Sequence, residues 1–173
     1  MRFHLGIAVL TVLAACGGDS PSAPQEPTYP AVAGTFAVSG GFDGLTSQQA
    51  NFSGTVTFAQ ASRESPNLTG TFNVTANVSG SVFLVAAPVQ AATVTAAGVL
   101  SFAVADASGQ WSFSGTMSGT TASGRHTLTD GTDAFAGNWS MQRTSNLVAA
   151  RVAPAAVPDR SGLTAALKEE ASH

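Results

Sequence analysis

The chain reads as an all-β domain, an antiparallel up-and-down meander of eight or nine short strands closed as a small barrel. Three observations predict this. Apolar residues alternate with Thr, Ser and Asn at a period of two through the middle of the 173-residue sequence. Clusters containing Gly, Asn and Asp punctuate these runs at short intervals. No apolar stripe of helical period occurs between positions 35 and 143. Closure removes exposed strand edges, which favours a barrel over the main rival, a two-sheet β-sandwich.

Composition sets the outer bounds. With 44% apolar and 10% charged residues the chain has the material for a packed core and lacks a disorder signature. Its length suits one ordinary domain with tails. Seven basic residues against ten acidic ones give a net charge of −3 and no electrostatic footprint for nucleic acid. A single cysteine, Cys16, excludes both an intrachain disulfide and a thiolate zinc site.

The first element is an export signal over residues 1–15. Arg2 supplies the basic start, and Leu5 to Leu13 form an uncharged apolar run that ends in the small residues Ala14 and Ala15. The run is too short to span a bilayer, which needs about 20 helical residues. Its end, Leu13-Ala14-Ala15-Cys16, resembles the lipobox of bacterial lipoproteins. The resemblance covers only this N-terminal stretch. It implies that a signal peptidase reads Leu13, Ala14 and Ala15 and cleaves before Cys16. It also implies a diacylglyceryl group on the Cys16 sulfur and an acyl chain of the palmitate kind on the freed amine. More than one chain makes anchoring stable, at about 0.8 kcal/mol per buried CH₂. Gly17 beside the cysteine is, by the same resemblance, compatible with sorting to the outer membrane. The expected location is therefore the cell envelope, lipid-anchored, with the membrane as one partner.

Residues 16–34 follow as the lipidated cysteine and a tether. Pro21, Pro24, Pro27 and Pro30 among Ser, Gly and acidic residues predict an extended, solvated spacer.

The β domain is expected over 35–143. Phe52-x-Gly54-x-Val56-x-Phe58 sets apolar residues and a glycine on one face, and Leu68-x-Gly70-x-Phe72-x-Val74 repeats the pattern. So do Trp111-x-Phe113-x-Gly115-x-Met117 and Phe135-x-Gly137-x-Trp139-x-Met141, while Leu100-x-Phe102-x-Val104 lacks the glycine. Strands are predicted near 35–40, 51–60, 67–76, 81–87, 91–96, 98–105, 110–117, 120–128 and 134–143. Turns are predicted at Gly40-Gly41, Asp43-Gly44, Ser79-Gly80, Ser108-Gly109 and Asp130-Gly131. A glycine on the apolar face lets a strand bend, or leaves room for a neighbour as large as Trp111 or Trp139. This strand grammar, including Leu68-Thr69-Gly70-Thr71, is similar to that of avidin- and lipocalin-like barrels. The similarity is one of pattern and carries over no ligand residues. An integral outer-membrane barrel is not expected: most strands are short for it, aromatic girdles are missing, and the polar face of Thr and Ser suits water.

Residues 144–173 are expected to be a mobile tail. Within it Ser161 can cap a short helix with Leu163, Ala166 and Leu167 on one side, and transient packing of that helix is the alternative. About two turns is marginal alone.

Chemistry is sparse. No nucleophile elbow, phosphate-binding loop, zinc-protease or dinucleotide motif occurs. Eight charged residues fall in the β domain: Asp43, Arg63, Glu64, Asp106, Arg125, Asp130, Asp133 and Arg143. The densest group runs from Arg125 to Asp133. His126 shares a face with Gly124 and Leu128, which makes it a barrel-lining histidine or a structural one at the mouth. Asp130 and Asp133 bracket a glycine turn, but a good calcium site needs six to eight oxygens. No metal, cofactor or catalytic residue is assigned. Trp111, Phe113, His126, Phe135 and Trp139 are the candidate lining contacts for a small apolar ligand, with a self-filled core as the plainer reading. The expected function is thus non-enzymatic binding or interaction by a lipid-anchored envelope domain. One alternative is a lipocalin-like carrier with a cavity of a few hundred Å³. Another is an inhibitor or scaffold presenting loops such as Ala61–Pro66 or Asp130–Asp133 to a protein partner.

Overall fold

A computed structural model describes residues 26–105, 109–131, 133–146 and 160–172. Eight antiparallel strands follow one another in space as in sequence. They are β1 (Gly34–Gly41), β2 (Ala50–Gln60), β3 (Asn67–Val78), β4 (Ser81–Val94), β5 (Val99–Ala105), β6 (Gln110–Ser118), β7 (Thr121–Asp130) and β8 (Asp133–Ser145). β8 returns to pair with β1, setting Thr35 opposite Ser145 and Gly40 opposite Trp139, and this seam closes the barrel. The sandwich is excluded. One helix, α1 (Arg160–Glu170), comes last.

Period-two alternation places the inner face where the sequence puts its apolar residues. Phe52, Val56 and Phe58 of β2, Leu68, Phe72 and Val74 of β3, and Leu100, Phe102 and Val104 of β5 are all buried. Trp111, Phe113 and Met117 of β6 and Trp139 and Met141 of β8 are buried with them. The outward positions between them, such as Ser53, Thr55, Asn73, Thr75, Ser123 and Ser140, are exposed.

Within the barrel wall, two sequence expectations need correction. The segments 81–87 and 91–96, read as separate strands, belong largely to the single strand β4. Its pairing with both neighbours shifts near Ala91, whose φ is +47°. A bulge adds one residue to one strand and so reverses which parity faces inward. Val85 and Ala87 are buried before it, and Ala92 and Val94 after it. The alternation therefore breaks in the sequence although the strand does not. Gly40-Gly41, read as a turn, forms the end of β1. A Cβ at Gly40 would run into the Phe52 ring and the Asn138 carbonyl, so glycine there permits close approach of neighbouring strands.

Both mouths of the barrel are covered. At the mouth where β1 begins and β8 ends, the segment 29–33 crosses as a strap. Tyr29 N–H donates to the Arg63 carbonyl at 2.7 Å, Arg63 Nε donates back to the Tyr29 carbonyl at 3.1 Å, and Val32 N–H donates to Gln60 Oε1 at 3.0 Å. Val32 is fully buried. The expected solvated tether to residue 34 is thus packed in its last part, because Val32 and Tyr29 supply apolar surface that the prolines obscure in the composition. At the opposite mouth lies α1, with Leu163 and Leu167 fully buried and Ala166 packed against the core. The helix anticipated within the tail is present and docked rather than mobile. Its contacts run to β3, β4, β7 and β8. Residues 147–159 lie outside the described residues, as do Leu13, Ala14, Ala15, Cys16 and the rest of the export signal. Among the described residues no helix is long and apolar enough to cross a membrane.

Candidate functional site

The barrel interior brings together four of the five candidate lining residues. Trp111 and Phe113 point inward from β6, His126 from β7 and Trp139 from β8, each no more than 2% exposed. Phe135, near the start of β8, is half-buried and packs at the edge of the same core.

These side chains touch one another rather than lining a hollow. Phe102 and Phe113 stack with centroids 4.6 Å apart and planes within 5°. Phe52 meets Trp111 edge-on at 4.8 Å, and Phe72 lies 5.2 Å from Phe113. Phe113 also meets Trp139 edge-on at 5.9 Å. Such pairs are worth about 0.5–1.5 kcal/mol each beyond the area they bury. Trp139 Nε1 donates to the Arg125 carbonyl at 2.9 Å and lies 3.3 Å from that of Ser114. It fits because Gly115 has no side chain, since a Cβ there would sit 2.8 Å from its ring.

His126 is the one polar side chain at the centre of this cluster. Trp111 Nε1–H donates to His126 Nδ1 at 3.0 Å. Nδ1 must therefore be bare, the proton sits on Nε2, and Nε2–H donates to the Gly41 carbonyl at 2.8 Å. Gly137 makes room for this bond, because a Cβ there would strike the Gly41 carbonyl and lie 2.6 Å from Nε2. The rings of Phe42 and Phe52 pack edge-on against the imidazole, each with centroids 5.1 Å apart. Burial holds the imidazole pKa below its ordinary value, helped by the Arg125 charge and opposed by the Gly41 bond and Asp43. With both nitrogens engaged, His126 is a neutral pin joining β6, β7 and the end of β1. It has no nitrogen left for a metal or a substrate proton.

The charged residues between Arg125 and Asp133 do not converge. Arg125 points outward and pairs with Asp43, donating to Oδ1 at 3.0 Å, and also donates to Asn138 Oδ1 at 3.0 Å. That guanidinium holds the Asp43 carboxyl below the usual carboxylate range. Asp130 accepts a hydrogen bond from Thr164, and Asp133 accepts from Lys168 Nζ at 2.9 Å. Both carboxylates thus hold α1 in place. Glu170, the last residue of the helix, accepts from Gln49 Nε2 at 2.9 Å and from Ser79. Among the described residues no group of three metal-ligating side chains assembles.

Shallow hollows open on the outside of the wall. One runs over β1, β2 and β6–β8 and includes Ser39, Ser53, Ser123 and Ser140 on its floor. Another crosses β5–β7 past Ser101, Ser114, Arg125 and Thr127.

Sequence reasoning missed Phe42 and Gly41 as parts of the central cluster. Phe42 follows strand β1 and folds back over the interior, 4% exposed. It keeps the parity of Phe36, Val38 and Gly40, but it lies past the strand predicted to end at 40, beyond a Gly-Gly pair that reads as a turn. Gly41 contributes only a carbonyl, which side-chain chemistry cannot reveal. No protein-family model matches the chain, and the search of curated proteins finds no match.

Proposed function

We propose that this protein is a lipid-anchored domain of the bacterial cell envelope that works by binding on its outer surface, without catalysis. The observation that carries the reading is the filled interior. Trp111, Phe113, His126 and Trp139 are buried against Phe42, Phe52, Phe72 and Phe102, and both mouths are covered. A barrel whose inside is spent on its own stability offers its exterior and its loops to partners. The lipobox-like Leu13-Ala14-Ala15-Cys16 supports the anchor, and the Ser/Thr-rich outer face supports a water-facing wall. The carrier alternative needs a cavity of a few hundred Å³, which the packed aromatic rings oppose.

The anchor is tested by expressing the full chain in a bacterial host and fractionating its membranes. The expected product begins at residue 16, carries acyl mass on Cys16 and partitions with membranes. Cys16→Ala is expected to give an uncleaved or soluble form. A processed, membrane-bound C16A protein would overturn the anchor.

A further inference from the structure

The wall of the barrel is incomplete along half of one strand. β4 pairs with β3 over its whole length, but its register with β5 spans only Gln90 to Val94. Among the described residues, no strand lies on the far side of Ser81–Ala87. The two residues of the Ser79-Gly80 turn both have positive φ, +47° and +86°, and the register sets Val78 opposite Ser81. In such a two-residue hairpin the pair flanking the turn is hydrogen-bonded. The main-chain groups of Val82, Leu84 and Ala86 therefore point away from β3, toward the open edge. Pro88 falls on the same parity, where its missing N–H leaves no donor unpaired and marks where pairing stops.

The side chains on this edge are as unusual as its backbone. Val82 is 66% and Leu84 62% exposed, the two most exposed large apolar residues among those described. From Ser81 to Val94 the strand carries no charged residue, so it lacks the lysines that usually blunt an edge.

We infer that this edge pairs with the same edge of a second copy, β4 against β4, antiparallel about a two-fold axis at Leu84. That register places Leu84 opposite the Leu84 of the second copy and Val82 opposite its Ala86. All three outward-pointing residues of each copy then find partners, giving about six new main-chain hydrogen bonds. On the outer face the exposed leucines and valines cover each other, and no like charges meet because the strand has none. The contact engages about seven residues a side, against roughly 20–30 in a standard interface, so the dimer is transient rather than permanent.

The test uses the full chain with Cys16→Ser, so that an introduced thiol is the only one. In the paired register the two Leu84 Cα atoms lie about 5.5 Å apart, within reach of a disulfide. Thr75, opposite Leu84 on β3 and exposed on the same face, lies one strand further in, and its two copies would be about 14–15 Å apart. Under mild oxidation Leu84→Cys is expected to give about tenfold more covalent dimer than Thr75→Cys. By sedimentation, the mean mass of the Cys16→Ser chain should rise with concentration, and Leu84→Lys should abolish the rise. Equal cross-linking at both positions, or a monomer at every concentration, overturns the inference. So does a Leu84→Cys thiol that is captured in cell extract by another protein and forms no homodimer.

Discussion

The two mouths of the barrel are closed by different means. At one, a strap runs directly into β1, and Val32 drops into the core while hydrogen bonds from Tyr29 and Val32 fix it. At the other, α1 arrives from far along the sequence and is held by Leu163 and Leu167, with Thr164, Lys168 and Glu170 gripping three separate turns and loops. A strap continuous with its strand loses little extra chain entropy on docking. A helix of eleven residues is marginal by itself and needs the apolar burial to stay in place. Closure by adjacency and closure by burial should therefore respond differently to the same kind of damage.

The largest effect is expected at the helix. Leu163→Ala with Leu167→Ala should remove about 2–5 kcal/mol per site from docking, enough to release α1 while the strands remain paired. Hydrogen exchange would show this as loss of protection confined to α1 and the neighbouring ends of β7 and β8. Loss of protection throughout the barrel would show that the lid is part of one cooperative unit. Val32→Ala should cost less, about 2 kcal/mol, and lower the urea midpoint without freeing the strap, because its hydrogen bonds use main-chain groups that survive the substitution. Release of residues 29–33 in that variant would erase the distinction between the two mouths.

A smaller, pH-dependent effect is expected on the helix side, where His126 pins the end of β1. Its folded pKa is lowered from 6.5 by burial. Above that value the imidazole is neutral folded and unfolded, and the contribution to stability is complete. As pH falls below it, the unfolded chain takes up a proton that the folded chain resists, so stability declines until the folded value is passed. Urea midpoints between pH 7.5 and 5 should show this slope in the native chain and not in His126→Gln. An equal slope in both would assign it elsewhere.

Much of the wall was legible from single runs of sequence. Phe52-x-Gly54-x-Val56-x-Phe58 and its three cousins name their own inward residues, because side-chain parity in a strand is fixed locally. The break in β4 was not, since one extra residue at Ala91 reverses parity and mimics a chain break. The strap was hidden because proline dominates the composition around Val32, and the groups that fix it, on Gln60 and Arg63, lie some thirty residues on. For α1 the apolar side of Leu163, Ala166 and Leu167 was visible, but the mouth it covers exists only once β3, β4, β7 and β8 have assembled. The candidate cluster divides in the same way. Trp111, Phe113, His126 and Trp139 are readable as one face each, whereas the Gly41 carbonyl that holds His126 lies 85 residues away.

The seam between β1 and β8 has a kinetic meaning. Seven of the eight pairings join consecutive strands, so hairpin after hairpin can form while the chain is still being delivered. The eighth must bring together residues about 110 positions apart, Thr35 and Ser145. Because the cost of joining distant ends grows only with the logarithm of the distance, the preceding hairpins shorten that search by holding everything between already in order. Until the last strand has emerged, two raw edges stay open, and completion waits on the final stretch of the domain.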